Sequence, residues 1–311
     1  MTGPVVAVIV PCFNEERTIG DVISGFRVSL PNALIFVYDN NSTDKTAAVA
    51  TKAGAIVRHV TSQGKGHVVR RAFADVEADA YVLVDGDGTY DASAVTRLVA
   101  LVFERGFDLV NGARVMESSD QRRGHEFGNR MLSKLVERLF RRPTVDMLSG
   151  YKVFSRRFVK SFPAFSDGFE IETELTVHAL DLNMPIESVE LPYGNRPEGS
   201  ESKLNTFGDG FRILRTITGL LRRERPLAFF GAAAAVLMVA ALLLGIPVIL
   251  TFFHTHKVPR LPTALLSTAL TLLAFLSVVT GLILDTVTRG RKEAKMLRYL
   301  GTQGPLASEH L

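Results

Sequence analysis

The sequence of 311 residues predicts an α/β fold, a mostly parallel sheet with helices on both faces, followed by a hairpin of two transmembrane helices. Two observations predict it. Apolar, strand-like runs alternate with helical patterns through the first third of the chain, which is typical of a parallel sheet covered by helices. Near the C-terminus, two stretches without any charged residue each exceed the roughly 20 helical residues that cross a bilayer.

The elements of the α/β part follow one another at regular spacing. Strands are predicted at residues 5–10, 34–38, 55–60, 80–84 and 107–111, and helices at 18–29, 44–53, 66–76 and 92–105. Farther along, the pattern predicts a basic amphipathic helix at 124–142, a turn into a strand at 146–154, a helix at 168–182 and a strand at 186–191. In such a sheet, ligands bind at the carboxyl ends of the strands.

The two uncharged stretches, 227–253 and 261–284, are separated only by residues 254–260, so they predict a tight hairpin. Positive charge is concentrated outside this hairpin, since the connecting loop holds only two basic residues, against Arg222, Arg223, Arg225, Arg289, Arg291, Lys292 and Lys295 on the other side. Positive-inside bias therefore predicts an integral membrane protein with both ends of the chain in the cytoplasm. Residues 1–20 show no signal-peptide pattern.

Four segments result from this division of the chain. Residues 1–206 are expected to form a cytoplasmic α/β domain, and 285–311 a cytoplasmic tail behind the two spans. Between domain and spans, residues 207–226 interleave apolar and basic side chains, which predicts an amphipathic helix lying in the membrane interface. A packing helix of the soluble domain is the alternative reading of that segment.

Charge and cysteine content exclude some classes of function. The net charge of +4 is explained by the arginines beside the predicted spans, and no aromatic–basic RNA motif accompanies it, so no nucleic-acid partner is expected. The single cysteine, Cys12, excludes an intrachain disulfide, in agreement with a reducing compartment.

Polar residues follow three of the predicted strands where those strands end. Pro11 to Glu15 follow the first strand, Asp39 ends the second, and Asp85 and Asp87 follow the fourth. Two carboxylates at i and i+2 after a strand point the same way and can converge on one hard cation, which can bridge a nucleotide diphosphate. A solvated turn is the alternative for an Asp-rich segment alone.

A glycine-flanked lysine opens the third predicted helix. In Gln63-Gly64-Lys65-Gly66, the glycines allow close approach of the backbone to a ligand, and Lys65 is placed to meet a phosphate at the helix N-terminus. A simple glycine turn explains the same residues.

Together these segments resemble the nucleotide-sugar domain of family 2 glycosyltransferases, which have the GT-A fold, and most of all the polyprenyl-phosphate and dolichol-phosphate enzymes. The resemblance implies a donor pocket in which Asp87 is the main ligand of Mg²⁺ or Mn²⁺, with Asp85 beside it. The donor-binding residues that it implies are Pro11, Phe13, Glu15, Asp39, Lys65, Asp85 and Asp87. Thr89 stands where some dolichol-phosphate enzymes have Gln, so a third protein ligand is not expected from that position.

The same resemblance implies an acceptor side. Asn111-Gly112-Ala113-Arg114 and Gly128-Asn129-Arg130-Met131-Leu132-Ser133 resemble elements that face the acceptor phosphate. The segment 196–204 resembles a loop that closes over both substrates, with Arg196 and Lys203 as its cations. The implied acceptor-phosphate residues are therefore Arg114, Arg130, Ser133, Arg196 and Lys203.

Catalytic carboxylates are the least determined part of the site. A polyprenyl monophosphate has a second pKa of about 6, so its oxygen is already anionic at neutral pH and needs positioning more than deprotonation. Besides Asp87, Arg196 and Lys203, the resemblance points to Asp146 and Glu174 as catalytic candidates. For both carboxylates, orienting Arg114 or capping a helix is an equal alternative.

The resemblance implies a membrane-bound hexosyltransferase. It would transfer a hexose or N-acetylhexosamine from a nucleotide-diphosphate sugar, with UDP favoured over GDP, to polyprenyl phosphate, such as undecaprenyl phosphate, with inversion, for a cell-envelope glycan. Expected partners are the nucleotide sugar, the lipid acceptor and the bilayer; whether copies of the chain associate stays open. Alternatives are a processive polysaccharide synthase, disfavoured because a Gln-x-x-Arg-Trp motif is impossible without Trp, and an inactive binding scaffold.

The loop charges generate a testable topology. Tags fused at Met1 and at Leu311 are both expected to be protected in sealed cells and to become protease-accessible only after lysis, because the basic flanks stay in the cytoplasm. A tag inserted in residues 254–260 is the matched control and should be accessible from outside. Labelling of either terminus in sealed cells would overturn the orientation.

Overall fold

The computed structural model describes residues 3–115, 137, 146–168, 170–194, 218–219 and 221–305. The chain forms two compact units. The first comprises Met1–Gly210 with Lys295–Leu311, and the second comprises Phe211–Ala294. Of the helix predicted at 124–142 only residue 137 is described, and of the one predicted at 207–226 residues 218–219 and 221–226 are described, of which 218–219 and 221–224 are helical.

The first unit is built on a seven-stranded sheet with the order β3-β2-β1-β4-β6-β5-β7. Its strands are β1 (Val6–Cys12), β2 (Leu34–Asp39), β3 (Ile56–His59), β4 (Ala80–Leu83), β5 (Leu109–Val115), β6 (Lys152–Ser155) and β7 (Ile186–Pro192). Only β6 runs antiparallel to its neighbours, β4 and β5. The prediction of a mostly parallel sheet is thus confirmed.

Six helices belong to the described part of this unit's α/β region. They are α1 (Ile19–Ser29), α2 (Thr46–Lys52), α3 (Lys65–Asp75), α4 (Val95–Arg105), α5 (Arg156–Ser161) and α6 (Glu170–Asp181). A short 3₁₀ helix, Ala92–Ala94, precedes α4, with Asp91 accepting the Ser93 N–H at 2.8 Å as its cap. The helices predicted at 18–29, 44–53, 66–76, 92–105 and 168–182 are therefore present, with ends shifted by a few residues, whereas α5 was not predicted.

Apolar clusters cover both faces of the sheet. Because side chains alternate along a strand, Ile9 and Tyr81 join one cluster, with α3, α5 and α6, while Val8 and Val82 join the other, with α1 and α4. All four are buried, which explains why the central strands are continuous apolar runs rather than alternating ones. The polar residues of the predicted site therefore lie at the carboxyl ends of the strands and not on the faces of the sheet.

The second unit contains one long apolar helix and the greater part of another. Helix α7 spans Pro226–Thr255, and α8 spans Leu261–Leu300, so α8 continues past Leu284, where the sequence pattern ended the span. Both are candidate membrane spans by length and composition. They pack through small residues: a Cβ on Gly281 would lie 3.1 Å from the Phe230 Cβ, and the Ser267 hydroxyl donates to the Ala241 carbonyl at 2.8 Å.

The last turn of α8 packs within the first unit. The Tyr299 hydroxyl donates to Asp108 Oδ2 at 2.7 Å, and the Arg157 guanidinium lies 4.8 Å from the centre of the Tyr299 ring. Asp108 is fully buried at the start of β5, and it also accepts from Ser155 and twice from Arg157. Four side-chain hydrogen bonds therefore satisfy this buried carboxylate.

Replacing Tyr299 tests this contact. Tyr299→Phe removes one donor from a buried charged acceptor and should lower the free energy of unfolding by about 1.5 kcal/mol. The matched control is Tyr38→Phe, since the Tyr38 hydroxyl is buried without a hydrogen-bond partner among the described residues, so its loss should leave stability unchanged or raise it. Thermal unfolding of the full chain in detergent measures both; equal midpoints would contradict the role of Tyr299.

Candidate active site

The carboxyl ends of the parallel strands meet the start of β6 at one edge of the sheet. Lys152, the first residue of β6, is paired with Leu83 of β4 and with Asn111 of β5. Strands β1 and β2 end side by side, with Cys12 opposite Asp39. This edge therefore brings together the segments that carry Pro11, Asp39, Asp85, Asp87 and Arg114, as the sequence predicted.

Asp39 is buried at the end of β2 and only half satisfied. Its Oδ2 lies 3.1 Å from Nδ1 of His59, whereas its buried Oδ1 has no hydrogen-bond partner within the described ranges. A buried carboxylate oxygen without a donor is costly, so this atom is suited to accept an N–H group from a ligand.

The segment that follows β1 is fixed to the loop after β2. The Asn14 N–H donates to the Ser42 hydroxyl at 2.9 Å, and the Glu15 N–H donates to the Thr46 hydroxyl at 2.8 Å. Asn14 has a left-handed φ of 57°, a conformation that Asn tolerates better than most residues. Pro11, Phe13 and Glu15 are thereby held beside the strand end that carries Asp39.

Lys65 lies between two carboxylates. Its ammonium contacts Asp85 Oδ1 and, at 2.7 Å, Glu172 Oε1 of α6. Burial alone would lower the pKa of Lys65, but the two carboxylates outweigh burial and raise it. Burial is also the main cause that raises the pKa of Glu172, against the charge of Lys65. Lys65 therefore neutralises and orients protein carboxylates in this structure.

The glycines beside Lys65 leave room for the backbone of residues 166 and 167, whereas the sequence pattern predicted that a ligand would approach there. A Cβ on Gly64 would lie 2.2 Å from the Asp167 carbonyl oxygen, and one on Gly66 would lie 2.0 Å from that of Ser166. The Gly66 N–H, at the N-terminus of α3, donates to the Asp167 carbonyl at 3.0 Å. The side chain of Asn40 fixes the same turn, accepting the Gly64 N–H at 2.7 Å.

Asp85 rests against the backbone of Gly150. A Cβ at position 150 would lie 2.0 Å from Asp85 Oδ2, so only glycine leaves room for the carboxylate. The Gly150 N–H donates to the Tyr90 hydroxyl at 2.8 Å, which fixes this contact from the other side. The turn before β6 is thus built around Asp85.

Asp87 is buried and oriented by Thr89. The Thr89 N–H and hydroxyl donate to Asp87 Oδ1 at 3.2 and 2.6 Å, so Thr89 supports the carboxylate from behind. Among the described residues, no group of three or more His, Cys, Asp or Glu is arranged to hold a metal ion. Mg²⁺ and Mn²⁺ are commonly bound by one or two carboxylates together with substrate phosphates. Asp87, held by Thr89 on this sheet edge, is the candidate ligand, with Asp85 beside it.

Arg114 and Asp146 form a bidentate pair at the end of β5. Nε and Nη2 of Arg114 each donate to one carboxylate oxygen at 2.7 Å, and the Arg114 N–H donates to Oδ2 at 3.0 Å. Burial would raise the pKa of Asp146, but the guanidinium outweighs it and holds that pKa below its usual value. The Tyr193 ring lies 5.5 Å from the guanidinium carbon. This geometry matches the orienting role that was the alternative for Asp146.

Glu174 serves the loop that precedes α6. Its carboxylate accepts the N–H groups of Phe165 and Ser166 at 3.1 and 2.8 Å, so the structure gives it a positioning task and does not bring it into the Lys65 cluster. The residue of α6 that enters this cluster is Glu172, which the sequence analysis passed over. Because α6 is buried on almost all sides, its apolar pattern does not indicate which of its carboxylates faces Lys65. Arg130, Ser133, Arg196 and Lys203 lie outside the described residues.

The chain matches the family model described as "Glycosyl transferase family 2" over residues 7–162, half of its length. It belongs to this family. This family 2 glycosyltransferase is 35% identical over 234 residues to the glycosyltransferase AglJ of Haloferax volcanii, a match that covers 74% of this chain and 77% of AglJ. It is 27% identical over 221 residues to a dolichyl-phosphate hexose transferase of the same organism, with 70% and 95% covered.

A solved structure confirms the expected fold of the glycosyltransferase. Glucosyl-3-phosphoglycerate synthase from Mycobacterium tuberculosis, in complex with Mn²⁺, UDP-glucose and phosphoglyceric acid, superposes with a TM-score of 0.56 at 26% identity. The match covers 70% of this chain and 79% of the synthase. The GT-A expectation, and the assignment as a nucleotide-sugar glycosyltransferase, are therefore confirmed, while the roles of individual residues stay predictions.

The contact between Gly150 and Asp85 can be tested directly. Gly150→Ala should reduce sugar transfer about a hundredfold, because the new Cβ forces the Asp85 carboxylate away from Lys65 and disturbs reacting geometry. Gly290→Ala is the matched control, since a Cβ there meets no atom within 4 Å, and its rate should stay at the wild-type value. Initial rates and thermal midpoints of the full chain decide; a normal rate for Gly150→Ala would refute the packing argument.

Proposed function

We propose that this glycosyltransferase transfers a hexose or N-acetylhexosamine from a UDP-sugar to polyprenyl phosphate at the cytoplasmic face of a bacterial inner membrane. The product would be a lipid-linked monophosphate sugar. The observation that carries the proposal is the buried Oδ1 of Asp39, which has no hydrogen-bond partner among the described residues and lies on the same sheet edge as Asp85, Asp87 and Arg114. One edge then offers an acceptor for a base, carboxylates for a metal, and a cation for a phosphate.

The donor half of the proposal starts from Asp39. Its free Oδ1 would accept the N–H of a nucleobase, while His59 holds the other oxygen. Pro11, Phe13 and Glu15 line the neighbouring strand end and would contact the base and ribose. UDP is preferred over GDP because a solved relative of the same fold was captured with UDP-glucose. Lys65 would act on the donor through Asp85, since its ammonium contacts that carboxylate.

The metal half rests on Asp87. Asp87, buried at the sheet edge and held by Thr89, would hold Mg²⁺ or Mn²⁺ together with phosphate oxygens of the donor. A bound divalent cation would supply charge stabilisation for the leaving diphosphate. Thr89 keeps the Asp87 carboxylate in place through its N–H and hydroxyl.

The acceptor half rests on Arg114. Its guanidinium is oriented by Asp146 and Tyr193, so it would meet an acceptor phosphate in one geometry. The dolichyl-phosphate hexose transferase relative and the two candidate membrane spans support a lipid phosphate as acceptor. Arg130, Ser133, Arg196 and Lys203 would complete the phosphate contacts, and Arg196 and Lys203 would close over both substrates.

The chemistry would proceed by one displacement. An anionic oxygen of the lipid phosphate forms a bond to the anomeric carbon, while the bond from that carbon to the diphosphate breaks and UDP leaves with the electron pair. Attack opposite to the leaving group inverts the anomeric configuration. No proton has to be removed, because the phosphate oxygen is already charged at neutral pH. Asp146 and Glu174 are therefore more useful as orienting groups than as bases.

A panel of labelled nucleotide sugars tests the proposal. Full-length enzyme in vesicles with a short-chain polyprenyl phosphate and Mn²⁺ should give labelled lipid with one UDP-sugar, and Asp87→Ala should lower that rate by at least about a hundredfold. Asp21→Ala, an exposed carboxylate of α1, is the matched control and should leave the rate unchanged. Asp39→Asn should raise the KM for the donor more than it lowers kcat.

Two results would contradict this function. Transfer of label only to water or to a soluble acceptor would show that a lipid phosphate is not the acceptor. Wild-type turnover by Asp87→Ala in metal-replete buffer would refute the assignment of the metal site. Polymeric product from a single lipid would support the processive synthase instead.

A further inference from the structure

Lys152 is a buried cation that the site described so far does not use. It is fully buried at the start of β6, and its ammonium donates to Asn111 Oδ1 at 2.6 Å and to the Met147 carbonyl at 3.2 Å. Both partners are neutral, and the described residues contain no carboxylate within ion-pair distance of it. Burial lowers the pKa of Lys152 to about 8. An ammonium buried without a contacting counter-ion is costly, so its presence requires a reason.

The charged groups that face Lys152 come from every element around it. Glu172 on α6 and Asp146 before β6 attract its charge, whereas Lys65 on α3 and Arg114 on β5 repel it. Each of these carboxylates already contacts another cation: Glu172 contacts Lys65, and Asp146 contacts Arg114. Asp85, after β4, is likewise paired with Lys65. Neighbouring charges therefore act on Lys152 from a distance, but no carboxylate among the described residues forms an ion pair with it.

The hydrogen bonds of Lys152 connect it to Arg114. Lys152 holds the Asn111 side chain, whose Nδ2 donates to the Asp146 carbonyl at 3.2 Å, and it also holds the adjacent Met147 carbonyl. Asp146 has a left-handed φ of 44°, which a non-glycine residue keeps only where its surroundings impose it. Lys152 thus fixes the turn that presents Asp146 to Arg114.

We propose that Lys152 is a positioning residue of the acceptor site, which holds the Asp146 turn under Arg114 and supplies an un-neutralised positive charge that favours binding of the acceptor phosphate there. The inference rests on the proposed function, because it assigns the phosphate to the Arg114 side of the edge. An ammonium in a low-dielectric surrounding acts on a nearby anion more strongly than a solvated one. The bound phosphate in turn offsets the cost of burying Lys152.

The proposal predicts a specific pH dependence. The value of kcat/KM for the acceptor should fall above about pH 8 as free enzyme loses the Lys152 proton, and the fall in kcat should begin at higher pH, because a bound anion retains that proton. The pKa values of Lys65, Arg114 and Tyr90 are all raised from their ordinary values, so these groups do not titrate near pH 8. The acceptor phosphate itself titrates near pH 6, on the acid side.

Three variants of the full-length enzyme decide the matter, assayed from pH 6.5 to 9.5 with saturating donor and varied short-chain polyprenyl phosphate. Lys152→Met should lower kcat/KM for the acceptor about a hundredfold at pH 7, abolish the alkaline fall, and leave the donor KM within a few fold. Lys152→Gln keeps a donor for Asn111 and Met147 without the charge, and should show the same loss. Lys160→Met, a lysine that contacts Glu77 on the surface, is the control and should match wild type.

The outcomes separate the possibilities. If Lys152→Gln restores wild-type kcat/KM, or if either variant keeps the alkaline fall near pH 8, Lys152 serves the fold alone and the inference is wrong. Thermal midpoints of both variants show whether they are folded, and the glutamine variant carries the test should the methionine variant unfold. If wild-type enzyme transfers sugar only to a non-lipid acceptor, the proposed function fails, and the same variants assayed with that acceptor still report on Lys152.

Discussion

The buried contact of Lys65 with Asp85 and Glu172 is the interaction on which the rest of the site depends. It joins the start of α3, the end of β4 and the first turn of α6, three elements far apart in the chain. Removing one partner from such a cluster leaves an uncompensated buried charge, which is far more costly than the net gain from forming the pair. The cluster therefore determines where Asp85 points, and the backbone around it is shaped to match.

Glycines make that match possible. Gly150 leaves space for the Asp85 carboxylate, while Gly64 and Gly66 allow the 166–167 backbone to approach the start of α3. Glu174 holds the adjoining backbone by accepting the N–H groups of residues 165 and 166. The residues proposed to bind donor and acceptor are thus positioned by contacts among loops at a single sheet edge, as is usual for ligand sites in open α/β sheets.

Asp108, a buried acidic residue, lies directly before β5, at the end opposite to Arg114. Asp108 receives Ser155, Arg157 and Tyr299, so the end of α8 contributes to the same unit as the sheet. The residues at the two ends of β5 differ in their surroundings, since Asp108 accepts hydrogen bonds within the fold and Arg114 is paired with Asp146, a geometry that supports the proposed contact of Arg114 with the acceptor phosphate. The difference follows from solvent access: Asp108 is fully buried, whereas the side chain of Arg114 is 23% exposed.

The sequence by itself determined the strand–helix alternation, the candidate spans and the polar strand ends, because hydrophobic periodicity and turn residues are local properties of the chain. It placed Asp39, Asp85 and Asp87 at one edge for the same reason, whereas Arg114 was expected only from the family resemblance. Only the tertiary structure decided that Lys65 pairs with carboxylates, that Glu172 rather than Glu174 joins them, and that Lys152 is buried. Those outcomes depend on which side chains meet across 20 to 107 residues of chain, and no local pattern encodes such a meeting.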